Sequence, residues 1–183
     1  MKRKIMIAVI MLVLTVAFDK GFGQGMQSDT AKMPNSYWGS LGLGETSLGF
    51  FTGRADANAE LSDGYLIAGS AQVESSSVFG GTEVDSYDIL FGKIFKQGIS
   101  MFTLSAGLGL VNVTTKSSTL FSTAPQVTTS QTGIGLPIVI QGYLVAGQTF
   151  GFGVSGYLNL NTVKTTAGVM FSLAIGRLAT HKK

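Results

Sequence analysis

Apolar residues recur at every second position along most of the chain from Tyr37 onward. That spacing gives a β-strand one greasy face, because successive side chains point to opposite sides. Four segments show it plainly. Phe102, Leu104, Ala106, Leu108 and Leu110 alternate with Thr and Ser then Gly. Ile134 to Leu144, Phe150 to Leu160 and Val169 to Ile175 repeat the pattern, with Gly, Ser, Asn, Gln141, Tyr143 and Tyr157 on the second face. Four earlier segments are weaker: Tyr37 to Gly44, Arg54 to Leu61, Tyr65 to Glu74 and Ser86 to Gly92. The total of eight candidate strands is even, as single-chain bacterial membrane barrels require.

The connections alternate in length. Ser62-Asp63-Gly64, Gln97-Gly98 and Gly147-Gln148 are tight-turn signals. Between them lie longer links, from Glu45 to Gly53, Ser75 to Glu83, Lys116 to Gln131 and Thr162 to Thr166. Tyr37, Trp38, Tyr65, Phe95, Phe102, Tyr143 and Phe150 fall at the tight-turn end. Aromatic residues at one rim are what a membrane interface favours. Parity, turn length and aromatic position therefore agree on one topology: an all-β, eight-stranded, antiparallel up-and-down transmembrane barrel with its tight turns in the periplasm.

The first 23 residues read differently. Lys2, Arg3 and Lys4 precede an apolar run of 14 residues, Ile5 to Phe18, and Gly21-Phe22-Gly23 offers small residues for cleavage. This is the composition of a secretory signal peptide, and the run falls short of the roughly 20 residues of a membrane helix. The domain expectation is a signal peptide over 1–23, a flexible periplasmic lead-in over 24–36, the barrel over 37–178 and a basic tail over 179–183. The formal charge of +3 resides mostly in the signal, since residues 24–183 hold nine basic and nine acidic side chains. A neutral mature chain argues against nucleic acid, which demands a concentrated basic face.

The mature chain resembles the small outer-membrane barrels of the OmpA/OmpX type. Gly107-Leu108-Gly109, Gly133-Ile134-Gly135 and the closing Val169 to Ile175 segment carry that resemblance. It implies the outer membrane of a Gram-negative-type bacterium, surrounding outer-membrane lipid, the barrel-assembly machinery as a folding partner, and a monomer. The family's barrels close on an aromatic residue; here the segment runs through Arg177 and Leu178 instead. The soluble alternative is a secreted lipocalin-like barrel binding apolar ligands, which would hide its greasy face and show charge outside.

Catalytic chemistry is sparse. The only histidine, His181, lies in the charged tail beyond the last strand, at the wrong rim to act as a general base. Cysteine is absent, which excludes disulfides, thiol catalysis and thiolate metal sites. Gly151-Phe152-Gly153-Val154-Ser155-Gly156 matches the dinucleotide fingerprint by letter, yet no amphipathic helix or ribose-binding acid follows. Asn112-Val113-Thr114 reads as an ordinary strand end, and Tyr157 with Asn159 and Asn161 is a polar set that a lipid-active site could use. No cofactor and no metal are expected.

The most informative cluster is Arg54, Asp56, Asn58 and Glu60, all on the second face of their segment. Glu74 and Asp88 share that face by parity. Ions inside a narrow barrel must pair or remain hydrated. These six form a candidate interior polar network that fixes strand register. The competing reading is a narrow pore lined by Arg54, Asp56 and Glu60. With no catalytic group in place, the expected role is non-enzymatic, structural or directed at an unknown surface ligand through the outer loops.

Overall fold

The computed structural model describes residues 36–61, 64–76, 81–116 and 128–178. The expected signal peptide, most of the lead-in, the basic tail and His181 lie outside the described residues. Eight strands follow one another: β1 (Tyr37–Thr46), β2 (Phe51–Glu60), β3 (Tyr65–Ser75), β4 (Thr82–Gln97), β5 (Ser100–Lys116), β6 (Thr128–Ala146), β7 (Phe150–Asn161) and β8 (Thr166–Arg177). Each pairs antiparallel with its neighbours in sequence order, and β8 returns to β1 to close the barrel. The closing ladder runs from Tyr37 opposite Arg177 to Thr46 opposite Gly168. A closed sheet satisfies its backbone groups without an edge within the ring, as a lipid environment demands.

Boundaries differ from the sequence expectation at several strands: β4, expected over Ser86 to Gly92, runs Thr82–Gln97, and β2 and β6 start earlier than expected. β2 begins at Phe51 because the alternation continues through Thr52, which is fully buried, so the first long link shrinks to a turn. β6 begins at Thr128 because Thr128 to Ser130 pair with Thr114 to Lys116 of β5. Those residues are β-branched or small and polar, so they extend a strand without an apolar rhythm. The Gly-rich 151–156 segment lies wholly within β7.

The apolar face points outward. Leu43, Ile89, Leu108, Ile134, Leu144, Val169 and Leu173 are all exposed, and Phe171 is 81% exposed. On β6 the outward residues Ile134, Leu136, Ile138, Ile140 and Leu144 are all large and apolar. An 11-residue stretch of that kind, tilted in a barrel, matches the roughly 25 Å apolar band of an outer-membrane barrel. A lipocalin-like protein has the opposite arrangement, with its apolar face inside.

Inside, apolar clusters lie toward both ends. At the tight-turn end Trp38, Leu66, Met101, Tyr143 and Leu178 pack together. At the other end Val84, Val111 and Val113 pack with Val163. Trp38 and Tyr143 were expected among the rim aromatics; both are buried in the bore, because they share the inward parity of Ser40 and Gln141. The outer girdle at that end is Tyr65, Phe95, Phe102 and Phe150. Phe95 and Phe102 stand 6.1 Å apart between ring centres, and Lys93 lies over the Tyr65 ring at 5.0 Å. Leu178, just after β8, is fully buried and donates its backbone N–H to the Gln148 carbonyl.

Candidate functional site

All six charged or polar residues picked from the sequence are buried inside the barrel: Arg54, Asp56, Asn58 and Glu60 on β2, Glu74 on β3 and Asp88 on β4. β2 supplies four of them because its inward positions fall at even numbers and every one from 52 to 60 is polar. Its outward positions after Phe51 are Gly53, Ala55, Ala57 and Ala59, so this strand stays readable only through its second face.

The six do not form one cluster. Arg54 Nε donates to Asp56 Oδ1 at 2.7 Å, and its Nη1 donates to Gln72 Oε1 at 3.1 Å. Asp56 Oδ2 accepts from Ser40 at 3.0 Å and from Gln141 Nε2 at 3.1 Å. Gln72 Nε2 passes the chain on to Glu74 at 2.8 Å, where Tyr157 also donates at 2.9 Å. Thr103 donates to Gln141 at 3.2 Å, which anchors that side chain on β5. The result is one continuous network from Thr103 through Asp56 and Arg54 to Tyr157.

Asp88 stands apart and accepts from Ser70 at 3.3 Å. Asn58 reaches the Trp38 carbonyl at 3.5 Å, the limit of a hydrogen bond. Glu60 belongs to a different site at the tight-turn mouth. Lys96 Nζ donates to Glu60 Oε2 and to Ser36 Oγ, both at 2.5 Å. Ser36 Oγ in turn approaches the Leu178 carbonyl at 3.5 Å. This clasp joins the start of β1, the end of β2, β4 and the exit of β8.

Two of these bonds cross the bore. Gln141 on β6 meets Asp56 on β2, and Tyr157 on β7 meets Glu74 on β3. In a ring of eight, strands four apart are opposite walls. Of the side chains expected to line a narrow pore, Arg54 and Asp56 are bound to each other and Asp56 to the opposite wall, while Glu60 is bound to Lys96. Asp56 and Arg54 also balance in charge, which is the condition for burying ions at tolerable cost.

Sequence reasoning left Gln72, Gln141 and Lys96 out of the polar network and placed Tyr157 in a different set, with Asn159 and Asn161. Each shares the inward parity of its strand, and Lys96 lies eight residues beyond Asp88 on the same face. The signal was present, but the selection centred on the charged run of β2 and left out two glutamines and a lysine near a turn. Tyr157, Asn159 and Asn161 do not assemble a catalytic set. Tyr157 is engaged by Glu74, whereas Asn161 caps the next turn, accepting from Lys164 N at 2.6 Å. Among the described residues, no group of three or more His, Cys, Asp or Glu side chains could hold a metal.

The chain matches no protein-family model and no curated protein sequence. It is similar in structure to several small outer-membrane barrels. The N-terminal β-barrel domain of Pseudomonas aeruginosa OprF aligns with a TM-score of 0.60 at 14% identity, over 78% of this chain and 98% of that one. Ail, the attachment invasion locus protein of Yersinia pestis, aligns with 0.54 at 13% identity, over 79% and 99%. Neisserial surface protein A aligns with 0.53 at 18% identity, over 79% and 95%. At such identities the likeness is one of fold, and the fold is that of the small eight-stranded outer-membrane barrels.

Proposed function

We propose that this protein is a non-enzymatic outer-membrane barrel that acts by surface recognition at the end opposite its tight turns. On this reading residues 1–23 direct export, the tight turns face the periplasm, the assembly machinery inserts the chain, and the barrel works as a monomer. The polar network is a structural plug that sets strand register.

One observation carries the recognition role. β4, β5 and β6 span 16, 17 and 19 residues, whereas the other strands span 10 to 12. The excess projects beyond the apolar band as a polar sheet. Thr128 to Thr132 are exposed and pair with β5 alone, since the β6–β7 ladder starts only at Gly135. Among the described residues their outer edge has no ladder partner. An unpaired strand edge is a template for adding an extended segment of another protein. Asn112 stiffens the sheet by accepting from Ser130 at 2.9 Å.

Ail has been solved with a heparin analogue. A polyanion does not fit the charge here. The loop end carries Glu45, Glu83 and Asp85 against Lys116 and Lys164, and residues 117–127 contain no charged side chain. A peptide strand suits the edge better than a sulfated sugar.

The test is to shorten the β5–β6 hairpin by joining Val113 to Gln131, a register pair, through Asn-Gly. The shortened barrel is expected to fold, shown by a heat-dependent shift on SDS gels. Cells displaying it should lose the adhesion that the full-length chain confers on protein-coated surfaces. Equal adhesion by both chains would contradict the proposal.

A further inference from the structure

Gly109 and Gly135, the last residues of the Gly107-Leu108-Gly109 and Gly133-Ile134-Gly135 segments, are partners in the β5–β6 ladder. Both are buried on the bore side of the wall. Their missing side chains open a niche there, and two polar side chains enter it from opposite flanks. Asp88, the register partner of Gly109 on β4, reaches in so far that a methyl group at Gly109 would overlap its Oδ1. Asn159 reaches in from β7, and a methyl group at Gly135 would meet its Oδ1 at 2.5 Å. Val111 of the upper apolar cluster walls the niche toward the loop end, with its Cγ2 3.0 Å from that same position.

Neither oxygen has a hydrogen-bond partner among the described residues, although both residues are only 4% exposed. Ser70 holds the other oxygen of Asp88 at 3.3 Å, which leaves Oδ1 turned to the niche. Side-chain positions paired across neighbouring strands lie about 4.5–5.5 Å apart, and this sets the scale of the gap between the two acceptors. One ion bound to both would fill such a gap, because calcium–oxygen contacts of about 2.3–2.6 Å add to nearly the same span.

Charge points the same way. Glu60 has Lys96 at the mouth. Deeper in the bore, Asp56, Glu74 and Asp88 are buried carboxylates, and among the described residues Arg54 is the one buried cation set against them. Two negative charges are left in excess, and Glu74 Oε2 has no partner among the described residues either. Water could satisfy these oxygens but would bring no charge, and buried carboxylates without a counter-charge are costly.

We propose that the niche binds one divalent cation of the calcium type, with Asp88 Oδ1 and Asn159 Oδ1 as its protein ligands and water completing its shell. The donors are all oxygen, which suits calcium and magnesium. Calcium is favoured because its coordination is flexible, whereas magnesium demands a near-ideal octahedron. One such ion cancels the two excess charges. With a single carboxylate ligand the site belongs to the weak class, with a Kd of about 0.1–1 mM.

Equilibrium dialysis tests this with the full-length protein folded in zwitterionic micelles and radioactive calcium in the low millimolar range. About one calcium per barrel is expected above the level of protein-free micelles. Asp88→Asn should weaken uptake by roughly tenfold or more, since it removes the charged ligand. Its heat-dependent gel shift shows whether the barrel still forms. Should that variant not fold, Asn159→Leu is expected to lose the same ion. Glu83→Gln, at the exposed loop end, should leave uptake unchanged. Wild-type protein that takes up no calcium, or uptake that neither Asp88→Asn nor Asn159→Leu reduces, would overturn the site. Calcium held by Asn159→Asp but not by the wild type would also overturn it, by showing that the Asn159 amide donates directly to Asp88.

Discussion

Tyr157 on β7 donates a hydrogen bond of 2.9 Å to Glu74 on β3, linking opposite walls of the barrel across 83 residues of sequence. A local ladder cannot make this contact, because β3 and β7 share none. It forms only when the ring has closed in the right register. Tyr157→Phe removes the donor and leaves the buried Glu74 with Gln72 alone. The expected loss is about 1–3 kcal/mol, the cost of an unsatisfied buried group. Urea unfolding in lipid vesicles measures it. A double-mutant cycle with Glu74→Gln should show coupling of at least about 0.5 kcal/mol. Strict additivity would mean that the bond does not exist in the folded barrel.

Arg54 is the only cation in the central network, and both it and Asp56 are almost fully buried. Arg54→Met strands the carboxylate, and removing one partner of a buried pair costs about 3–5 kcal/mol. Replacing both residues with apolar ones should recover most of that loss, because the desolvation penalty disappears with the charges. If the double variant unfolds at lower urea than Arg54→Met, the network does more than balance charge.

The same crossing bonds bear on conduction. With Gln141 bound to Asp56 and Tyr157 bound to Glu74, the bore is bridged twice. Planar-bilayer recordings of the wild-type protein are expected to show no steady single-channel steps. Steady channels that change in size with Arg54→Ala would restore the pore reading.

The clasp at the tight-turn mouth is weaker than the central network. Lys96 keeps a quarter of its side chain in contact with solvent, so water screens its bond to Glu60. Lys96→Met should lower stability by about 1 kcal/mol. Because the clasp ties Ser36 in place, the variant should also be cut sooner by added protease near the start of β1.

Position along β6 should decide what a charge costs. Ile140 lies within the outward apolar stretch and is exposed, whereas Thr132 lies on the projecting sheet. Ile140→Arg is expected to destabilise by about 2–4 kcal/mol, and Thr132→Arg by about 0–1 kcal/mol. Equal effects on unfolding in vesicles would argue that both positions face the same solvent.

The architecture was legible because a barrel in lipid must alternate along every strand, and Leu136, Ile138 and Ile140 alternate without interruption. Parity also placed Arg54, Asp56, Glu74 and Asp88 on the inner face. It could not say how far along the bore each one reaches. Glu60 and Asp56 lie four residues apart on one strand, yet one is bound at the mouth and the other across the centre. Cross-bore partners such as Gln141 depend on shear and side-chain length, which period-two patterning does not encode. Trp38 shows a further limit: an aromatic near a strand end suits a rim or a buried plug equally well, and only its parity decides.

The chain lacks cysteine, so single labelling sites can be introduced without background. Nitroxides placed at Leu136, Val154 and Leu173, on three outward strand positions, would report their solvent through collisions with oxygen and with a water-soluble nickel chelate. In lipid vesicles the account predicts frequent oxygen encounters and few nickel encounters at all three sites, with the reverse at Thr132. Nickel access at Leu136, Val154 and Leu173 as high as at Thr132 would contradict it.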